Sequence, residues 1–344
     1  MRGLPVLPTN TTRLVAILLA VLATVANAAP DSARQELIGE RPNAGGEPER
    51  ITVRVALLDI TNVDDKEQRF TIDAYVEISW QDPRLAFEAS VERTLAMSDV
   101  WTPRLAIVNN RGLDFLFPEV VTVDREGNVT MRQRFAGPLA VDLDLRKFPF
   151  DSQRLSIDVV SYQYAPAEVE FSGVTEMLGR ADEFSAGGWS FELLPPEFSV
   201  FRLAADGRGT SRVGFGVLAQ RNAGFYVLTL ALPMTLILCL AWMVHWLPPD
   251  IVPARMGMSS ATVFSLIAFG VSFRLTLPKI DYLTFADRFV IYSTLLVLLS
   301  LVVTVLASRW VSAGRADDAN RATRYMRIVF PLGFALIVAL MFVR

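Results

Sequence analysis

The side chains from which catalytic sites are built are sparse in this sequence of 344 residues. There is one histidine, His245, and one cysteine, Cys239, and both lie inside a long apolar run. No nucleophile–base pair, cluster of metal ligands or glycine-rich phosphate loop can be found, so the sequence does not read as an enzyme and no metal or cofactor is expected. Its more suggestive chemistry is that of moving ions. Residues 256–273 carry no charge, yet they hold Gly257, Ser259, Ser260, Ala261, Thr262, Ser265, Gly270 and Ser272. That composition suits a helix surrounded by helices or water better than one facing lipid. At 100° per residue, Gly257, Ala261, Phe264, Ala268, Val271 and Leu275 fall within about 40° of one line. Repeated around an axis, such a face lines a pore whose ring of Phe264 gates by dewetting, because a partly dehydrated ion finds nothing there to replace its water. An apolar stripe at this spacing also serves as ordinary helix-packing core, and periodicity alone does not separate the two readings.

The start of this helix adds an electrostatic argument. Pro253-Ala254-Arg255 places a proline in the first turn, and helix N-termini would direct positive dipole ends at the ion path with no carboxylate to cancel them. Arg255 lies about 160° from the pore line, so it either anchors or packs between helices or adds to the potential of the mouth. Arg274 and Lys279 add positive charge at the other end.

These residues need elements to hold them. Hydrophobic residues make up 52% of the chain, charged residues only 20%, and mean hydropathy is +0.35, too apolar for a soluble protein of this length. Residues 29–224 carry 31 acidic and 21 basic side chains, whereas 225–344 carry 5 and 10. The net negative first part would repel phosphate backbones, so nucleic acid is not an expected partner. Residues 1–28, with Arg2 and Arg13 ahead of an apolar run ending in Ala26-Asn27-Ala28, read as a signal peptide, and 29–49 as a flexible lead-in. Residues 50–224 form an exported domain without cysteine. Alternation at Ile51, Val53, Val55, Leu57 and again at Phe70, Ile72, Ala74, Val76, Ile78, Trp80 predicts a hairpin across the turn Asp64-Asp65-Lys66-Glu67. Further short runs at 105–108, 119–124, 129–135, 139–145, 154–162, 168–172, 189–202 and 212–221, with a short helix expected within 84–96, predict a β-sandwich. Charge-free runs then predict four membrane helices at about 225–247, 254–275, 286–310 and 326–343 within a domain spanning 225–344. The arginines of 309–327 lie on the cytoplasmic side if the N-terminal domain is exported.

In this order, Trp80-Gln81-Asp82-Pro83-Arg84-Leu85, Trp101-Thr102-Pro103 with Asn109-Asn110, Lys147-Phe148-Pro149-Phe150-Asp151-Ser152-Gln153, Ser161-Tyr162-Gln163-Tyr164, Arg221, Pro233 and Leu277-Pro278-Lys279-Ile280-Asp281-Tyr282 resemble the pentameric ligand-gated ion channels, in a short prokaryotic form. This is the superfamily of the acetylcholine, GABA-A and glycine receptors, and the resemblance spans about residues 50–343. It implies an immunoglobulin-like all-β extracellular sandwich above an all-α four-helix transmembrane bundle, assembled as a homopentamer in a bacterial inner membrane with the sandwich in the periplasm. Expected partners are identical subunits, membrane lipid, an unknown small agonist or protons, and permeant ions. The Pro253-Ala254-Arg255 stretch resembles the anion-selective receptors, which points to chloride. A cation-passing or weakly selective pore, and a tethered sensor that conducts nothing, are the alternatives.

Site residues carry over from the same motifs. Tyr162 is the aromatic expected on the principal face of a ligand site, with Phe198 and Phe201 on a capping loop and Tyr75 and Glu77 on the complementary face; for each aromatic the alternative is sandwich core. Coupling between the domains is expected from Asp64, Asp65, Phe148, Pro149, Phe150, Asp151, Arg221, Pro278 and Lys279, since a buried Arg221 needs a carboxylate. Exposed salt bridges of no consequence are the alternative for Asp64 and Asp65. Two departures stand out. Val141 and Leu155 replace the two cysteines that flank Phe-Pro-Phe-Asp in animal receptors, so packing must hold that loop. Arg104 replaces the usual acid after Trp-x-Pro, and Val108 stands where many amine receptors have an aromatic, which together argue against a complete aromatic cage for an amine.

Overall fold

The computed structural model describes residues 38–88, 91–202, 207, 209–275 and 278–342, so the signal peptide and most of the lead-in expected at the N-terminus lie outside the described residues. Among these residues, thirteen strands make two facing sheets. One runs β10(Glu176–Gly179), β1(Glu49–Asp64), β2(Arg69–Gln81), β7(Asn128–Ala140), β6(Val120–Val123), β3(Arg93–Ala96), with β5(Asp114–Phe115) on β7 and β9(Val169–Phe171) on β1. The other runs β11(Trp189–Leu193), β13(Gly209–Arg221), β8(Ser152–Ser161), β4(Leu105–Ile107), with β12(Glu197–Arg202) on β13. The alternation of β2 does the work expected of period two: Phe70, Ile72, Ala74, Val76, Ile78 and Trp80 are buried, and the odd-numbered residues between them face outward. They meet Leu155, Ile157, Val213, Phe215 and Val217 of the second sheet.

Two strand boundaries differ from the pattern read in the sequence. The runs 129–135 and 139–145 are not separate strands; the first continues through Gly137-Pro138 to Ala140, and the remainder leaves the sheet. Gly137 has φ +140°, and a Cβ there would lie 2.7 Å from the Gly112 carbonyl oxygen, so the glycine makes room for a crossing loop and does not mark a turn. Conversely 189–202 breaks in two at Pro195-Pro196, where no backbone N–H is available to the ladder. The helical turn within 84–96 is only Pro83–Leu85, capped by the Asp82 carboxylate.

Among the described residues, four helices long and apolar enough to cross a membrane follow: α1(Ala223–Trp246), α2(Val252–Arg274), α3(Phe285–Ser312) and α4(Ala316–Phe342). A π-helical stretch over Val227–Ala231 precedes Pro233 in α1, absorbing the hydrogen bond that proline cannot donate. The fourth helix starts ten residues ahead of the expected 326. The arginines of 316–327 had suggested a connection, but Asp317 and Asp318 in the first turn favour an N-terminus there. Helix α3 begins with a capping box in which Thr284 and Asp287 satisfy each other's backbone N–H groups. His245, in the last turn of α1, is fully buried, its Nε2 2.7 Å from Ser300 Oγ of α3.

Candidate functional site: pore face, domain boundary and ligand cleft

Helix α2 presents two unlike faces. Arg255, Ser259, Thr262 and Leu266 are buried against the other helices of the chain. Gly257, Ala261, Phe264, Ala268, Val271 and Leu275 are all exposed, Phe264 to 72% and Leu275 to 73%. The stripe is therefore not packing core within one chain, and a bulky apolar face of a membrane-length helix is left without a partner. Pro253 and Ala254 are also exposed at the helix start. Arg255 turns the other way, with Nη2 3.2 Å from Thr323 Oγ1 of α4. At the outer end Arg274 is ion-paired with Asp287, the capping residue of α3, so its charge is largely offset.

The sandwich meets the helices around Arg221, the last residue of β13. Its Nε and Nη2 donate to the Asp151 carboxylate at 2.8 and 3.1 Å, and Nη1 and Nη2 donate to Asp65 at 2.9 and 2.7 Å. Burial alone would lower the guanidinium's pKa; the two carboxylates more than offset this and raise it above the ordinary arginine value. Three rings enclose it: Trp189, its direct partner across the β11–β13 pair, at 4.1 Å, Phe148 at 4.8 Å and Tyr226 at 5.4 Å. Asp65 is thus no idle surface charge. Asp64 instead shapes the β1–β2 turn, accepting from the backbone N–H groups of Lys66 and Glu67 at 3.0 Å. The 145–151 loop docks on α3: Phe285 N donates to Arg146 O at 2.9 Å, Ala286 N to Phe148 O at 3.2 Å, and the Phe150 and Phe285 rings meet at 5.3 Å. Pro278 is buried near this boundary. Lys279 is exposed and makes no ion pair among the described residues, whereas Arg221 pairs with both Asp65 and Asp151.

The loop that lacks the two cysteines is closed by amides. Gln153 Nε2 donates to Asp144 O at 2.8 Å and to Asp151 Oδ2 at 2.6 Å, and its Oε1 accepts from Asp144 N at 3.0 Å. Gln68 Oε1 accepts from Leu143 N at 2.8 Å. Leu155 is fully buried and Val141 packs at the edge of the core. Gln153, Trp189, Tyr226 and Tyr282, whose hydroxyl accepts from Leu145 N at 3.1 Å, were not assigned roles from sequence. Gln153 and Tyr282 stood inside conspicuous motifs; Trp189 becomes visible only through strand register.

The residues expected at a ligand site lie on two different sheets. Tyr162, at the end of β8, is half-exposed, as is Phe198 on β12, while Phe201 is partly buried. Tyr75 and Glu77 project from the outward face of β2; Tyr75 packs edge-on against Phe117, and Glu77 pairs with Arg132 at 3.0 Å and Arg54 at 3.6 Å. One chain does not bring the two groups into a common cleft.

Comparison with known proteins agrees with this architecture. Residues 38–184 match the neurotransmitter-gated ion-channel ligand binding domain, and residues 230–331 match the neurotransmitter-gated ion-channel transmembrane region. Similar proteins include a proton-gated ion channel of Gloeobacter violaceus, 26% identical over 88% of this chain and 85% of that protein. A gamma-aminobutyric acid receptor subunit beta-like protein of Drosophila melanogaster is 25% identical over 76% of this chain, which covers 56% of its length. With both family regions matched in order over well over half of the sequence, on a β-sandwich followed by four apolar helices, the chain belongs to the pentameric ligand-gated ion channels, the Cys-loop receptor superfamily.

Proposed function

We propose that the protein is a homopentameric, chloride-preferring channel of a bacterial inner membrane, opened by a small ligand or by protons acting on a periplasmic sandwich. The observation that carries this reading is the uncovered face of α2, from Gly257 through Phe264 to Leu275, opposite a fully buried one. Five copies related by cyclic symmetry would turn that face inward and remove it from lipid with one repeated interface. The same assembly would let Tyr162, Phe198 and Phe201 of one subunit face Tyr75 and Glu77 of the next, as separate sheets within a chain do not. Anion preference is supported by Pro253 and Ala254 at the exposed helix start, where N-terminal dipoles meet no carboxylate. The stimulus follows from the relatives only as a class, since one is described as proton-gated and the other as similar to a GABA receptor subunit. Asp65, Asp151 and Arg221 would pass movement of the sandwich to α1, and the Phe148-Pro149-Phe150 loop to α3.

The decisive experiment is a reversal-potential measurement on purified protein in a planar bilayer under salt dilution. A shift toward the chloride equilibrium potential supports the proposal, and a shift toward sodium overturns the selectivity while leaving the channel. A stable monomer or dimer by native mass measurement in mild detergent would overturn the pentamer. A weakly selective or cation-passing pore is the second reading, favoured by the Arg274–Asp287 pair, which removes positive field from the outer end.

A further inference from the structure

Arg255 is 0% exposed within a single chain, on the face of α2 turned away from the pore stripe. Its guanidinium makes one hydrogen bond, from Nη2 to the Thr323 hydroxyl of α4 at 3.2 Å, and its Nε and Nη1 are buried without a partner. Arginine keeps its proton in proteins, so burial does not discharge it as it can a lysine. A lasting charge inside a helix bundle is strongly unfavourable unless something pairs with it. Ser259, one turn on along the same face and 3% exposed, adds a buried hydroxyl without a partner.

No carboxylate of the chain meets that charge. Five acidic residues follow residue 224. Asp287 is taken by Arg274 and Asp318 by Arg315 and Arg321, while Asp250, Asp281 and Asp317 form no ion pair among the described residues. The nearest charged neighbour makes the field more positive still: Arg327 of α4, whose Nε donates to His245 O at 2.9 Å, lies close enough for its charge to act on Arg255. His245, also 0% exposed, engages Ser300 Oγ of α3 through Nε2 and leaves Nδ1 without a partner. All four helices of one subunit therefore close on a buried spot that holds two guanidinium charges, unused donors and no carboxylate. Water could complete the hydrogen bonds there, but it brings no negative charge. Nor can a neighbouring subunit supply one, because Arg255 is already sealed within its own chain.

We propose that each subunit holds a resident inorganic anion of chloride size beside Arg255, inside its own helix bundle and off the pore axis. The Nε and Nη1 groups would donate to it as charge-assisted bonds, joined by the Ser259 hydroxyl from the next turn. Complete burial of Arg255 leaves a lipid headgroup no approach, which selects a small free ion. Bound there, the anion would steady the first turns of the helix that carries the pore face without entering the conduction path. The inference does not depend on which ions the pore passes.

The test is bromide soaking of crystals of the full-length protein, read by anomalous scattering, together with melting of the purified protein in sodium chloride and in sodium gluconate at equal ionic strength. A bromide peak is expected in contact with the Arg255 guanidinium of every subunit. Chloride should raise the melting temperature saturably, by about 2–5 °C, and gluconate, too large for the site, should not. Arg255→Met should abolish both the peak and the chloride response. Thr323→Val, which removes the guanidinium's one partner in the chain, should keep both. The wild-type comparisons need no variant, so a misfolded mutant does not spare the idea. No bromide beside Arg255, equal melting in the two salts, or an undiminished chloride response in a folded Arg255→Met protein would each overturn it. Bromide found only on the pore axis would overturn it too, while supporting chloride conduction. A peak at Arg255 in a channel whose reversal potential follows sodium would keep this site and overturn the selectivity.

Discussion

Replacing Arg221 with glutamine would disturb the most heavily determined contact in the molecule. The guanidinium makes four charge-assisted bonds, of 2.7–3.1 Å, to two carboxylates. Its side chain is 1% exposed, that of Asp151 2% and that of Asp65 17%. Glutamine removes the positive charge and leaves Asp151 ionised in a buried site, a situation that costs about 3–5 kcal/mol in comparable pairs. Asp65 retains some access to water, so Asp65→Asn should cost less, about 1–2 kcal/mol. Arg221→Lys keeps the charge but cannot span both carboxylates as a fork, and should fall between Arg221→Gln and wild type. Thermal unfolding of the purified protein reads the stability, and current activation at matched surface expression reads the coupling. The double variant Arg221→Gln/Asp151→Asn should lose clearly less than the two single losses added together, because each destroys the same contact. The reasoning would be refuted if Arg221→Gln melted and activated like wild type, or if the two losses simply summed.

Three further outcomes follow from features of the pore and the sandwich. Phe264→Ser should wet the constriction and yield leak current without stimulus; unaltered gating in a channel that reaches the surface would remove Phe264 as the barrier. In the proposed pentamer Ala254→Glu should place five carboxylates at the inner mouth and weaken or invert the proposed chloride preference, read as a shift in reversal potential; an unchanged value puts the filter elsewhere. Burial raises the Glu49 carboxyl above the ordinary glutamate range, against the opposing Asn43 N–H at 2.6 Å. Its ionisation therefore costs the folded state stability, a penalty absent at acid pH and developed as pH climbs past the unfolded value of about 4.3. Glu49→Gln should accordingly raise Tm near neutrality and not in acid, and a gain of equal size at about pH 3.5 and about pH 7 contradicts the assignment.

The sandwich was legible where one face of a strand is buried and the other wet, because burial then writes itself as alternation; β2 is the clearest case. Gly137-Pro138 misled because the same pair that makes a turn can also let a strand pass close under a crossing loop. The helices were legible as charge-free runs, but α4 begins among arginines, outside the apolar part, where hydropathy carries no signal. Arg221 could be anticipated as a cation in need of a carboxylate at a strand-to-helix junction. That Asp65 and Asp151 both answer it, and that Lys279 does not take part, depends on how the turn and loop are folded back over it.

The loop closed by Gln153 has a practical consequence. Where a covalent bridge would make the junction between the domains sensitive to reductants, here the closure is an amide clip that thiols cannot cut and oxidants cannot lock. The chain's single thiol, Cys239, is exposed on α1, well away from that loop in sequence. Cys239→Ala would therefore give a thiol-free protein without touching the junction, a clean background for reporter pairs across Asp144 and Tyr282. Opening of the loop could then be timed against opening of the pore in the same molecule, under reducing conditions that would dismantle a disulfide-closed relative.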